Sequence, residues 1–245
     1  MAQIVISGGG TGIGLATARA YASQGDQVVI IGRRAKIVEE AAEALNAEVG
    51  EERVTALSAD LTDPAQVERI AGRIAESGEP VDVLVNNAGG AFGPDEVVTL
   101  ADIAENYRAN FAGNVLPVVL LTHALIPQLR RPGGAIVTVT SIAAVRGPGA
   151  YGGSKALLHA STYEWAASLA ADGIRANAVA PGITAETEFF GERMNPDFLA
   201  SRVAQTLLKR PGTPEEVAEA IQYLAGASNV TGQILHINGG TVLGR

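Results

Sequence analysis

"QIVISGGGTGIG", residues 3–14, joins an unbroken apolar run to a glycine-rich turn and then to an alanine-rich helical pattern. A strand without polar alternation is one whose two faces are both covered. Glycines between a strand and a helix leave backbone N–H groups bare at the positive end of that helix, where a phosphate binds. Gly8, Gly12 and Gly14 supply the room, with Gly10, Thr11 and Ile13 between them. The stretch therefore predicts a parallel α/β sheet that opens on a nucleotide-phosphate site. A tight turn without a ligand is the plainer alternative.

The rest of the chain keeps this rhythm. Apolar, β-branched runs at 3–7, 27–31, 54–58, 81–85, 135–140, 175–180 and 233–237 alternate with helical windows near 12–24, 35–49, 64–77, 101–130, 151–171 and 214–226. Such alternation predicts one α/β domain over 1–245, a doubly wound parallel sheet of about seven strands with helices on both faces and right-handed crossovers. "TDPAQVE" offers Thr62 or Asp63 as a helix cap before Pro64, and "GTPEEVAEA" repeats the device with Thr213 and Pro214. The segment 184–210 breaks the rhythm, and its Phe189, Phe190, Met194 and Phe198 suggest the apolar face of a substrate lid. An ordinary packed helical excursion would use the same residues.

The end of the second strand selects between dinucleotides. An NAD site offers a carboxylate there to the ribose 2′-hydroxyl, whereas an NADP site offers cations to the 2′-phosphate. Here the chain reads "IIGRR", with Arg33 and Arg34 and no acid. NADP(H) is expected over NAD(H).

Composition removes other classes. Twenty-six acidic side chains against 18 basic ones give a net charge of −8, which repels a nucleic-acid backbone. No cysteine is present, so disulfides, thiolate metal sites and cysteine nucleophiles are excluded, and His123, His159 and His236 lack metal-like spacing. The apolar stretch 115–126 is short for a bilayer and carries Pro117 and His123. The amino terminus shows no targeting pattern, so a cytoplasmic protein without a membrane partner is expected.

One short motif carries chemistry. In "AYGGSKALLH", residues 150–159, Tyr151 and Lys155 stand four apart, which on a helix puts phenol and ammonium on one face. A free tyrosine titrates near 10, too high to trade protons easily at neutral pH. A neighbouring cation favours phenolate and lowers that value. An exposed helical pair of no chemical consequence is the alternative.

Together these residues resemble the short-chain dehydrogenase/reductase family over essentially the whole chain. The likeness rests on "SGGGTGIG", where Ser7 replaces the usual threonine, on "NNAG" at Asn86, Asn87, Ala88 and Gly89, on Ser141 at the end of the fifth strand, on Tyr151 and Lys155, and on "APGI" with Pro181 and Gly182. An asparagine of the fourth helix matches best at Asn110, with Asn114 a nearby rival.

The resemblance implies a Rossmann-like domain that moves a hydride between nicotinamide and a ketone or secondary alcohol. It makes Tyr151 the general acid and base, Ser141 the donor to the substrate oxygen, Lys155 the partner of the phenol and of the nicotinamide ribose, and Asn110 the holder of a water. It places Asp60 and Leu61 near the adenine, Asn86, Ala88 and Gly89 along the cofactor, and Thr184 or Thr187 at the carboxamide. It also implies a homodimer or homotetramer, to which Leu116, Leu120, Leu157 and Trp165 could contribute.

The interval from Ser141 to Tyr151 is ten residues, shorter than in many members, so the pocket formed by "IAAVRGPGA" is expected to have its own outline. Arg130 and Arg131 could meet an acidic carrier protein, but Asp172 and the net charge speak against one. The expected activity is therefore an NADP(H)-dependent carbonyl reductase or alcohol dehydrogenase acting on a small free ketone or alcohol. A 3-oxoacyl-thioester reductase is the alternative within enzymes, and a nonenzymatic NADP(H)-binding sensor the alternative outside them.

Overall fold

The computed structural model describes residues 1–94, 96–147, 149–185 and 195–243. The strands are β1 (Gln3–Ser7), β2 (Gln27–Gly32), β3 (Val54–Ser58), β4 (Val83–Asn86), β5 (Ala135–Val139), β6 (Arg175–Pro181) and β7 (Ile234–Ile237). All pair in parallel, in the order β3-β2-β1-β4-β5-β6-β7. The described helices are α1 (Gly12–Ala22), α2 (Ala35–Val49), α3 (Pro64–Ala75), α4 (Leu100–Asn114), α5 (Leu116–Leu125), α6 (Ala143–Arg146), α7 (Gly149–Ser168), α8 (Pro196–Val203) and α9 (Pro214–Gly226). The doubly wound sheet expected from the alternation is the one observed.

The two-sided burial inferred for the strands is literal. Successive strand residues point to opposite faces. Ile4 and Ile6 enter one core with Val28, Leu45, Val217 and Ile221 from the α2 and α9 side. Val5, between them, enters the other with Leu84, Ile136, Leu121 and Trp165 from the α5 and α7 side. Each of these aliphatic side chains is essentially sealed from water. Burial of that completeness contributes about 1.5–3 kcal/mol per side chain.

Local chemistry sets the element ends. Asp63, rather than Thr62, caps α3 by accepting the Ala65 N–H, with Pro64 in the first turn. Thr213 and Glu216 form a reciprocal capping box at α9. The window expected as one helix over 101–130 divides at Val115, because Pro117 in the first turn of α5 cannot donate back to the preceding turn. The combined run Leu100–Gln128 is long and apolar enough to cross a membrane by length and hydropathy alone, and 44% of its best window is buried inside the fold. Trp165, expected to be available to an oligomer contact, is 2% exposed and belongs to the core of its own chain. The sheet's carboxyl edge, where β1, β2, β4, β5 and β6 all end, is left for a ligand.

Candidate active site

A crevice of about 980 Å³ runs along that edge. The glycine turn after β1 forms part of its floor, with Gly8, Gly10, Thr11, Gly12 and Ile13 in the lining. Gly8 at φ 67° and Gly12 at φ 53° adopt backbone that other residues rarely take. Thr11 stands at the start of α1 without capping it through its side chain, and no acidic residue occupies the first turn. The positive end of α1 is therefore open to an anion. Gly14, expected among the ligand contacts, is not in the lining. A Cβ there would run into the carbonyl oxygen of Gly8, so this glycine serves the close packing of helix on turn.

Ser7 ties the turn to the next strand. Its hydroxyl oxygen accepts the N–H groups of Asn87 and Ala88, each at 3.0 Å. Asn87 in return donates its side-chain amide to the carbonyls of Ser7 at 3.1 Å and Gly8 at 3.0 Å. Ala88 and Gly89 line the crevice as expected, but Asn86 does not. Its fully buried amide donates to Thr122 Oγ1 at 2.8 Å, beneath the sheet edge, and its neighbour Asn87 is the one in the lining.

At the β2 end the lining includes Arg33, Arg34, Asp60 and Leu61. The Arg33 guanidinium lies 6.0 Å from the centre of the Phe92 ring. Asp60 accepts the backbone N–H of Thr62 at 2.9 Å and the hydroxyl of Thr62 at 2.8 Å. These bonds hold its carboxyl below the usual range. Asp60 thus shapes the turn before α3, and the capping task belongs to Asp63.

Ser141, Tyr151 and Lys155 reach the crevice from β5 and α7. The Ala143 N–H donates to Ser141 Oγ at 3.1 Å, which fixes the serine and leaves its own hydrogen to donate. Ser141 and Tyr151 are joined by a hydrogen bond between their hydroxyls. The first turn of α7 packs tightly on α6: a Cβ at Gly152 would stand 2.7 Å from the Ala143 carbonyl oxygen. That glycine lets the ten-residue interval bring serine and tyrosine together, whereas Gly153 faces open space.

Lys155 is 4% exposed, and its ammonium donates to the Val139 carbonyl at 3.2 Å. Burial lowers its pKa to about 8. The electrostatic expectation for the phenol is corrected by the same burial, which pushes Tyr151 up to about 12 against the downward pull of the Ser141 hydrogen bond. Desolvation is the leading cause of both shifts, and it disfavours the charged form of each group.

The fourth-helix asparagine also moves. Asn110 is absent from the lining, and its amide donates to the Phe92 carbonyl at 2.6 Å and to Asn106. Asn114, one turn on, exchanges hydrogen bonds with Gly90 at 3.0 Å in both directions. It lies against Gly89 beside Lys155, because a Cβ on Gly89 would touch both Asn114 Oδ1 and Lys155 Nζ.

A family model described as enoyl-(acyl carrier protein) reductase matches residues 8–242 of this chain. The chain belongs to the short-chain dehydrogenase/reductase family. It is 36% identical over 243 residues to the L-tagatose-forming galactitol 2-dehydrogenase of Cereibacter sphaeroides, covering 96% of this chain and 92% of that one. The 3-oxoacyl-(acyl-carrier-protein) reductase of Thermotoga maritima is 34% identical over 249 residues, covering 98% and 97%. Among solved structures, a Burkholderia cenocepacia short-chain dehydrogenase in complex with NADP superposes with a TM-score of 0.85 at 30% identity, covering 98% of this chain and 97% of that one. As a member of this family the protein is a nicotinamide-dependent oxidoreductase of CH–OH and C=O groups.

The remaining short-chain dehydrogenase/reductase positions fall as follows. Pro181, Gly182 and Thr184 line the crevice, and a Cβ on Gly182 would stand 2.9 Å from Asn238. Thr187, Phe189, Phe190 and Met194 lie outside the described residues. The described part of the expected lid contributes Arg202 and Gln205 to the wall, while Phe198 packs under Arg202 with 5.0 Å between guanidinium and ring. Sequence reasoning missed Phe92, Arg146, Arg202, Gln205 and Thr241, which line the crevice from loops and helices that no local pattern links. Arg130 and Arg131 are paired with Asp82 and Asp172. They precede β5, so they stand at the amino edge of the sheet, opposite the crevice.

Proposed function

We propose that this enzyme is an NADP(H)-dependent carbonyl reductase or alcohol dehydrogenase acting on a small ketone or secondary alcohol, with Ser141, Tyr151 and Lys155 as its catalytic set. The supporting observation is that these three side chains face the same crevice as the glycine turn. The residues fit a dinucleotide. The uncapped end of α1 suits a pyrophosphate, and Arg33 and Arg34 beyond β2 suit a 2′-phosphate, with no acid directly after that strand to favour a bare ribose.

A bound nicotinamide dinucleotide supplies the hydride in reduction and takes it in oxidation. The Ser141 hydroxyl donates to the substrate oxygen and holds its carbon toward that ring. As negative charge builds on the oxygen, the Tyr151 hydroxyl gives up its proton, producing the alcohol. A phenol kept protonated by burial is an acid throughout the neutral range. The Lys155 ammonium, one helical turn away with its pKa near 8, can return the proton and stabilise the phenolate meanwhile. Asn114, not Asn110, holds the Gly89–Gly90 turn against this lysine and so positions it.

A carrier-bound 3-oxoacyl thioester is the second reading, favoured by the Thermotoga maritima relative and opposed by the internal pairing of Arg130 and Arg131. A nonenzymatic sensor would have no use for the serine–tyrosine–lysine set. Self-association is supported by the outward apolar side chains of α4, Ile103, Tyr107 and Phe111, and of α7, Leu157 and Tyr163.

Tyr151→Phe tests the proposal. NADPH binding by fluorescence should persist, while turnover on a ketone panel should fall by about 10²–10⁴-fold, the range of general acid catalysis. Near-normal turnover in that variant would remove the assigned acid.

A further inference from the structure

The crevice is cationic at both ends, and only one end is explained by a dinucleotide. Arg33 and Arg34 follow β2, whereas Ser141 follows β5, three strand steps away. Steps of about 4.8 Å put the reacting end about 14 Å from the 2′-phosphate end. At the reacting end the lining includes Arg146, on α6 just after Ser141, and Arg202 on α8, with Gln205 and Thr241 between them.

Arg146 is braced rather than neutralised. Its guanidinium donates to the Thr241 carbonyl at 2.9 Å and to Gln205 Oε1 at 3.2 Å, which leaves further N–H groups to offer. Arg202 is laid over Phe198. Among the described residues neither forms an ion pair, whereas Arg19 pairs with Glu48, Arg131 with Asp172 and Arg210 with Glu216. In a chain with 26 acidic and 18 basic side chains, these two guanidinium groups beside the crevice have no carboxylate partner among the described residues. Among the described residues the one acidic side chain in the lining, Asp60, belongs to the nucleotide end.

We propose that Arg146 and Arg202 bind an oxyanion on the substrate, so that the enzyme acts on short oxo acids or hydroxy acids in preference to neutral ketones and alcohols. The inference rests on the hydride-transfer reading of Ser141, Tyr151 and Lys155. A carboxylate or sulfonate a few carbons from the reacting carbon meets the arginines while the carbonyl oxygen meets Ser141 and Tyr151. The planar guanidinium forks supply paired, charge-assisted hydrogen bonds to such a group. A carboxylate in place of one arginine would repel the same substrate.

The test compares short 2-, 3- and 4-oxo carboxylates, each beside its methyl ester, and an oxo sulfonate beside its amide, by NADPH consumption. The expected result is a kcat/KM at least about 10-fold higher for the anion in at least one pair, consistent with charge-assisted hydrogen bonding. Arg202→Gln should collapse that ratio, and Arg202→Lys should restore part of it. Arg146→Lys keeps the charge where loss of the bracing bonds would disturb α6. A ratio near one in every pair, or a ratio unchanged by Arg202→Gln, overturns the proposal while leaving hydride transfer intact. If no acid and no ester is reduced, the hydride-transfer reading fails. Calorimetry of the same oxo acids with the NADP-loaded protein then decides: arginine-dependent binding sustains the anion site, and no binding sinks it.

Discussion

Lys155 gives the sharpest quantitative prediction, because its burial costs stability that a catalytic role explains. Its pKa falls from an ordinary 10.5 to about 8 in the folded chain, through burial. That difference of 2.5 units corresponds to at most about 3 kcal/mol of destabilisation when the lysine is charged in both states. The unfolded chain holds this proton more tightly than the folded one, so between pH 8 and 10.5 unfolding takes up a proton and stability rises with pH. The gain from this group between pH 8 and 9.5 is about 1.5 kcal/mol. His159 and His236, also lowered by burial, act at lower pH, and the raised Tyr21 and Tyr151 oppose stability only above about pH 10. The window is therefore dominated by Lys155 among the shifted groups.

Lys155→Met keeps the stem and removes the charge. In nucleotide-free protein at fixed concentration, urea unfolding should find it more stable at pH 7 by up to about 3 kcal/mol, with a flatter profile from pH 8 to 9.5. Turnover should be lost. A variant less stable than wild type at every pH, or a wild type that weakens between pH 8 and 9.5, would refute the claim that a buried ammonium held by one backbone carbonyl sits in the crevice wall.

Two further outcomes test other parts of the site. The double variant Arg33→Ala with Arg34→Ala should weaken NADPH binding by about 10–100-fold while changing NADH binding little, as measured by fluorescence titration; equal losses would dissociate these side chains from the 2′-phosphate. Asn114→Leu should cut turnover and shift the pH profile set by Lys155, whereas Asn110→Ala should act mainly on thermal stability by releasing the Phe92 loop. The reverse pattern in steady-state kinetics would return the role to Asn110.

How far the site was legible follows from the range of each signal. Tyr151 and Lys155 lie one helical turn apart, and the glycine turn of residues 8–14 lies between adjacent elements, so spacing alone reports their geometry. Asn110 and Asn114 show the limit. Both stand on α4 and share its periodicity, and only the approach of the Gly89–Gly90 turn to α7 decides which one meets the lysine. Asn86 and Asn87 show it again, since neighbouring residues at the end of a strand point to opposite sides. Asn86 bonds Thr122 on α5 while Asn87 holds the glycine turn.

The sequence by itself determined the parallel sheet, its seven strands, the glycine-rich turn and the tyrosine–lysine pair, because periodicity, glycine and short spacing are properties of a few consecutive residues. Tertiary structure alone decided that burial pushes the Tyr151 phenol up rather than down, that Asn114 stands by Lys155, and that Arg146 and Arg202 share the reacting end. Those outcomes depend on desolvation and on contacts between segments well separated in sequence, such as Asn114 with Gly90 and Arg146 with Gln205 and Thr241. Such distances are set by the packing of the whole sheet.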